Sequence, residues 1–365
     1  MNPLHDKYAA LLVHYCLELK PGERLFISTT TLAEPLVREV YRHAIRAGAH
    51  VEVDMAFRER NRILLTEGGE DQLRYVSPLT SMAMEEFNAY LAIRAPFNLR
   101  EEHNVDGVKA KIRGEALSGI NQTYFKRIAT KDLKRNLCQF PTEASAQEAS
   151  MSLEEYEHFV YGACFLLGDD PVGEWLKIRA YQQGIVDHLN KCSDFHYKGN
   201  GIDIRFSAKG RTWINSDGRN NMPSGEVFTS PVEDSANGTI HFDLPGVYQG
   251  HEVEGVTLWV KDGYIEKWEA TRGKDFLDHI FAIPGTRRFG EAAVGTNYNI
   301  QQITKNILFD EKIGGTVHMA IGQSYLQCGG KNESTVHWDM ITSMTSGGEI
   351  FADGEKVYEN GRFLI

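Results

Sequence analysis

Arg24-Leu-Phe-Ile-Ser28, then Pro35 with Leu36, Val37, Val40, Tyr41 and Ala44, then His50-Val-Glu-Val-Asp-Met55 are the stretches that decide the fold. The first follows a Pro-Gly turn and reads as a buried strand. Pro35 opens a helix whose apolar residues recur every three to four positions and so share one face. Gly48 ends that helix, and the chain returns as a second strand. Strand, crossover helix and strand within about thirty residues make a βαβ unit, whose two strands lie parallel. Working outward, Ala89-Tyr-Leu-Ala-Ile-Arg94 and Asn136-Leu-Cys-Gln-Phe140 extend the same sheet, with helical stretches between them. Ser152-Leu-Glu-Glu155 supplies a capping box for another helix, and a long helix from roughly Pro171 to Lys191 carries the chain out of this region.

From about Asp194 the texture changes to strands and turns. Gly201-Ile-Asp-Ile-Arg-Phe206 alternates apolar and polar residues. Thr257-Leu-Trp-Val260, Lys-Asp-Gly, then Tyr264-Ile-Glu-Lys-Trp268 is a hairpin signature in which Gly263 supplies the positive φ of the turn. At 365 residues the chain exceeds what one compact core usually occupies. The expected organisation is therefore an α/β N-terminal domain over 1–190 with a mainly parallel sheet, followed by a β-rich α+β domain over 191–365.

Composition narrows the function. A formal net charge of -11 with scattered Lys and Arg disfavours a nucleic-acid partner, since phosphate binding needs clustered basic residues. The N-terminal MNPLHDKYAALLVHYCLELK reads as an amphipathic helix and not as a signal peptide. No stretch approaches the apolar length that spans a bilayer, so a cytoplasmic protein without a membrane partner is expected. Five well-separated cysteines with no CxxC pair argue against a disulfide framework or a thiolate zinc site. The first half contains neither GxGxxG nor GxxxxGK[ST], and Gly68-Gly69 reads as a loop, so no nucleotide site is expected.

Four stretches of the second half concentrate metal-ligand side chains: Asn221-Met-Pro-Ser-Gly-Glu-Val-Phe-Thr-Ser-Pro231 with Glu226, Phe289-Gly-Glu-Ala-Ala-Val-Gly-Thr-Asn297 with Glu291, Asp310-Glu-Lys-Ile-Gly-Gly-Thr-Val-His-Met-Ala-Ile-Gly-Gln-Ser-Tyr325 with His318, and Thr335-Val-His-Trp-Asp-Met340 with His337 and Asp339. If the fourth is a strand, His337 and Asp339 leave one face while Val336, Trp338 and Met340 leave the other. Alone, an HxD pair is more often an ordinary hydrogen-bonded His and Asp, and either glutamate alone is a solvated acid. Five ligand residues on glycine-bracketed segments of one domain together invite a dinuclear site, which needs bridging carboxylates as well as imidazoles. Other candidates fall away. His251-Glu-Val-Glu-Gly255 lacks the second His of a zincin motif, His241 and His279 stand alone, and Glu311 is either a supporting acid or a salt-bridge partner of Lys312.

These stretches, with Asp234-Ser-Ala-Asn-Gly238, Leu308-Phe-Asp-Glu-Lys312 and Gly329-Gly-Lys-Asn332, resemble the aminopeptidase T and aminopeptidase S family of metallopeptidases. The resemblance implies a broad-specificity aminopeptidase acting on peptide substrates through two divalent metal ions held by Glu226, Glu291, His318, His337 and Asp339. It also implies a homodimer, and a tyrosine near the metals that corresponds to Tyr325. Nitrogen and oxygen ligands without thiolate suit zinc, cobalt or manganese. On this reading Tyr325 donates to the oxyanion and Glu291 carries the proton to the leaving amine. Two alternatives belong to other classes: a non-haem iron ring-cleaving dioxygenase using His318, His337 and Asp339, and a non-catalytic peptide-binding relative.

Overall fold

The computed structural model describes residues 2–365. The chain divides into two compact units, Met1–Val172 with Gly218–Met222, and Gly173–Asp217 with Pro223–Ile365.

The first unit is built on the expected βαβ. Arg24–Thr30 and His50–Ala56 pair in parallel with Arg24 opposite His50, and helix Glu34–Arg46 crosses between them with Leu36, Val37, Val40 and Ala44 buried. Tyr41 departs from the expected apolar face and is 46% exposed, because it sits one residue, about 100° of helix, away from the buried Val40. The five-stranded sheet runs in the order His50–Ala56, Arg24–Thr30, Ala89–Arg94, Lys134–Gln139 and Asn221–Met222, all parallel. Its last edge comes from the returning segment Gly218–Met222. Asn2 caps the N-terminal helix Pro3–Ala10 by accepting from Leu4 N–H. The capping box at Ser152 and Glu155 closes in both directions. Cys16, Cys138 and Cys164 are buried thiols, and no disulfide forms among the described residues.

The second unit holds most of helix Pro171–Leu189, whose Ile185, Val186 and Leu189 join the core of the β-rich half. The boundary read near residue 190 thus falls at the far end of a helix at whose start the units divide. Two large antiparallel sheets follow, together with a two-stranded ribbon of Gly246–Tyr248 and His251–Val253. The larger has eight strands, in the order Tyr264–Glu269, Val256–Lys261, Asn237–Phe242, Ile202–Ser207, Asp194–Gly199, Glu349–Ala352, Glu355–Glu359 and Arg362–Phe363. The expected hairpin turns on Asp262 and Gly263, with φ of 48° and 72°, the pair of left-handed residues that a tight two-residue turn between twisted strands requires. The smaller sheet has five strands, in the order His337–Ser343, Thr316–Gly322, Phe289–Gly295, Glu226–Thr229 and Ile214–Ser216. Ile204, Ile240 and Leu258 of the larger sheet join Val227, Val294, Val317, Met319, Trp338 and Met340 of the smaller in one apolar core. Among the described residues no helix is long and apolar enough to cross a membrane.

Candidate metal centre

Alternation along the smaller sheet separates core from chemistry. Val317, Met319 and Ile321 enter the core, and so do Trp338 and Met340; His318, His337 and Asp339 therefore stand on the opposite face. Val227 enters the core beside Glu226 in the same way. Glu291 needs one more device. Phe289 is in the core, and strict alternation would send Glu291 after it. A register shift between them pairs Phe289 with Ile321 but Glu291 with Ala320. This bulge at Gly290 turns Glu291 to the face of His318. Across that face Glu291, Ala320 and Asp339 form one row on three neighbouring strands, and Ala293 lies beside His318. The alanine at the row's centre leaves room between the acids.

The five sequence-predicted ligands are all brought together, as two groups: Glu226, Glu291 and His318, and Glu291, His337 and Asp339. His318 Nε2 lies 3.4 Å from Glu226 Oε2 and 3.7 Å from Glu291 Oε1. His337 Nε2 lies 3.1 Å from Glu291 Oε2 and 3.5 Å from Asp339 Oδ1. Despite these approaches, Glu226 Oε2, His318 Nδ1 and Nε2, His337 Nε2 and Asp339 Oδ1 are buried with no hydrogen-bond partner among the described residues. Buried polar atoms are normally satisfied, and lone pairs that converge without bonding each other suit a cation between them. His337 Nδ1 lies 2.7 Å from the Gln323 carbonyl oxygen, to which only an N–H can donate. That bond keeps a proton on Nδ1, so that Nε2, once its own proton is displaced, faces Glu291 and Asp339 with a lone pair; such a carbonyl is the usual outer support of a metal-bound imidazole. The donor set, two imidazoles and three carboxylates without a thiolate, fits a zinc-, cobalt- or manganese-type ion.

The electrostatics agree. Burial disfavours the charged form of His318, but Glu291, Asp339 and Glu226 outweigh it and push the imidazole up to about 9. His337 is raised well above its usual value against burial by Asp339 and Glu291. Asp339 is held below the usual carboxylate range, its burial overcome by His337, His318 and Lys312. A cation entering the centre therefore displaces protons from the imidazoles. Tyr325 is 37% exposed as a residue, yet its ring lies 4.9 Å from that of His337 and 5.4 Å from that of Phe228. Desolvation, then the charges of Glu291, Asp339, Glu311 and Glu226, raise its phenol well above 10, so it keeps its proton.

One support is legible in the sequence only in part and another not at all. Glu311 pairs with Lys312, as one of its two readings expects, but the reach of Lys312 to Glu226 is not foreseen there. Lys312 is fully buried and pairs with both Glu226 and Glu311. Its only outward signal was an acid-lysine dipeptide before Gly314-Gly315. Ser230 Oγ accepts from Tyr325 N–H at 3.3 Å and donates to the Gly290 carbonyl at 2.7 Å, tying the tyrosine to the bulge. The resolved surroundings of Glu311 are those of a buried acid: burial pushes it up to about 8 against Lys312, with Glu226 and Asp339 adding to the rise.

A β-sheet face carrying this buried oxygen and nitrogen cluster is that of a metal-dependent protein. Residues 2–363 match the thermophilic metalloprotease (M29) family, and the chain belongs to that family. It is 28% identical to Aminopeptidase 2 of Geobacillus stearothermophilus, over 92% of this chain and 91% of the relative. It is also 28% identical to Aminopeptidase PepS of Streptococcus thermophilus, over 99% of this chain and 98% of the relative. Its fold is that of wild-type AmpT from Thermus thermophilus, with a TM-score of 0.86 and 22% identity over 99% of each chain. The resemblance drawn from the motifs is therefore one of family and of fold along the whole length.

Proposed function

We propose that this metalloaminopeptidase releases N-terminal residues from peptides at a centre of two divalent cations. One is held by Glu226, Glu291 and His318, the other by Glu291, His337 and Asp339. The observation that carries the reading is the position of Glu291, whose two oxygens face two different imidazoles and which belongs to both groups. Cations bound there supply Lewis acidity, lowering the pKa of a water toward neutrality and polarising the scissile carbonyl. With its two oxygens shared between the two cation groups, Glu291 serves as a ligand, which leaves it no free oxygen for the proton transfer expected of it from the sequence. Tyr325, a neutral donor beside His337, gives a hydrogen bond to the oxygen on which charge develops. The buried acids around the centre favour the substrate's free α-ammonium group, which accounts for exopeptidase action. A homodimer and a cytoplasmic setting are part of the same proposal, and sedimentation equilibrium tests the first.

A mononuclear iron centre of two imidazoles and one carboxylate would need His318, His337 and Asp339 to converge by themselves. The ligand atoms gather instead in two groups that both include Glu291, and the dioxygenase reading has no observation in its favour. The test is a panel of aminoacyl-p-nitroanilides and their N-acetylated counterparts, run on chelated enzyme and after restoring zinc, cobalt or manganese. Activity should return with metal and require a free amino group, and Glu291→Gln and His337→Ala should each lose most of it. Retention of metal-dependent activity in either variant would remove that residue from the scheme.

A further inference from the structure

The search beyond the ligands leads to Lys312, an ammonium 0% exposed to solvent in the wall of the centre. Burial of such a group is costly unless it is paired, and a buried ion pair is a poor device for stability alone. Its pairing is instead directional. Nζ lies 3.3 Å from Glu226 Oε1 and forms a second ion pair with Glu311. The other oxygen of Glu226, Oε2, is the one 3.4 Å from His318 Nε2 and without a hydrogen-bond partner.

The backbone fixes both members of the pair to one loop. Asn297 N–H donates to the Lys312 carbonyl at 3.0 Å, and Gly314 N–H donates to the Asn297 carbonyl at 2.9 Å. The Asn297 side chain donates through Nδ2 to the Ser224 carbonyl at 2.9 Å, and Thr296 N–H donates to the Gly225 carbonyl at 2.8 Å. Gly225, just before Glu226, has φ of +115°, and a Cβ there would lie 2.7 Å from that of Asn297. Only glycine tolerates that conformation and that approach. The backbones that carry the ammonium and the carboxylate are therefore held against one loop, within reach of each other's side chains.

We infer that Lys312 is a positioning residue: it commits Oε1 of Glu226 and so presents Oε2 alone to the cation of the His318 half. Glu311 balances the lysine's charge, which would otherwise oppose a cation at that place. The inference rests on the two-cation reading above.

The test is calorimetric titration of chelator-stripped protein with cobalt(II), comparing wild type with Lys312→Met/Glu311→Gln. This double variant removes the ammonium together with the acid paired to it, so no lone buried charge is left behind. Because Glu311 is partly protonated at neutral pH, the centre loses positive charge on balance, and electrostatics alone predict cation binding no weaker than in wild type. Positioning predicts two binding steps in wild type, of which one weakens by about 10- to 100-fold in the variant, the usual effect of losing a partner outside the ligand shell, while the other keeps its affinity. A folded double variant that binds both ions as tightly as wild type overturns the role of Lys312. A wild type that binds no cobalt overturns the two-cation reading and the inference with it. A crystal structure of cobalt-loaded wild type gives a second reading that does not depend on the variant's folding. Glu226 should meet the cation through one oxygen while the other stays on Lys312; a Glu226 bound through both oxygens, with Lys312 turned away, overturns the inference.

Discussion

Replacing Ala320 by valine places two γ-carbons where the fold leaves a single methyl. Glu291, Ala320 and Asp339 stand opposite one another on three successive strands. Neighbouring strands are about 4.8 Å apart, so the two acids spring from backbones roughly 10 Å apart, and Ala320 is the floor between them. It is 0% exposed, so added carbon must rise into the gap the two acids share. Overpacking costs about 1–3 kcal/mol, and the better strand propensity of valine returns up to about 1 kcal/mol of it. The chelated variant should therefore lose about 3 kcal/mol or less in urea unfolding. Cation affinity should fall as well, by about 100-fold, the upper end of what changes just outside a ligand shell cost. Ala292→Val is the control, because Ala292 is equally buried but faces the apolar core opposite Met319. It should lose about 1–3 kcal/mol of stability and keep its cation affinity. Calorimetric titration of both variants with zinc or cobalt decides the matter. If Ala320→Val binds as tightly as wild type, or if Ala292→Val weakens binding equally, the assignment of faces on this sheet is wrong.

Three further outcomes are expected. Tyr325→Phe keeps the ring against His337 and Phe228 but loses the donor, so kcat should fall by about 10²–10³ with cation affinity unchanged; a kcat within a few-fold of wild type would leave the oxyanion without this partner. Chelation should lower the melting temperature of the second unit by roughly 8–16 °C for each ion held at about 1,000 times its dissociation constant; calorimetry showing no shift would mean that no tightly bound ion contributes to the fold. Burial raises Asp310 to about 7, against the donors of Thr304, Lys305 and Asn306. With its folded value above its unfolded one, the stability it contributes is full below about pH 4 and is lost as pH rises through about 7. Asp310→Asn should flatten that part of the urea-stability profile, and an unchanged slope would show an ionised Asp310 already satisfied by its donors.

How much of this was legible in the sequence depends on what each feature is made of. The βαβ unit was readable because its evidence is local: Pro35, the three-to-four spacing from Leu36 to Ala44, and Gly48 lie within one helix and its ends. The Asp262-Gly263 turn was readable for the same reason. Alternation around Trp338 likewise placed His337 and Asp339 on one face, and the structure puts Trp338 in the core with Tyr248 stacked on it at 5.3 Å. The arrangement of the centre is not local. Glu291 shares Phe289's parity in the sequence and would enter the core if the strand were regular. The bulge at Gly290 reverses its direction, and a one-residue change of register moves a side chain to the other face of a sheet. Glycine before an acid shows that a bulge is possible but not which neighbour it serves. Here the neighbour is the Gln323 main chain, which a Cβ at Gly290 would strike and whose carbonyl oxygen also orients His337. A main-chain oxygen leaves no mark in a sequence, because every residue has one. The same holds for Lys312, whose partners Glu226 and Asn297 lie far from it along the chain. Residue types thus disclose the chemistry of the centre, while register and main-chain contacts decide that Glu291 stands between the two imidazoles.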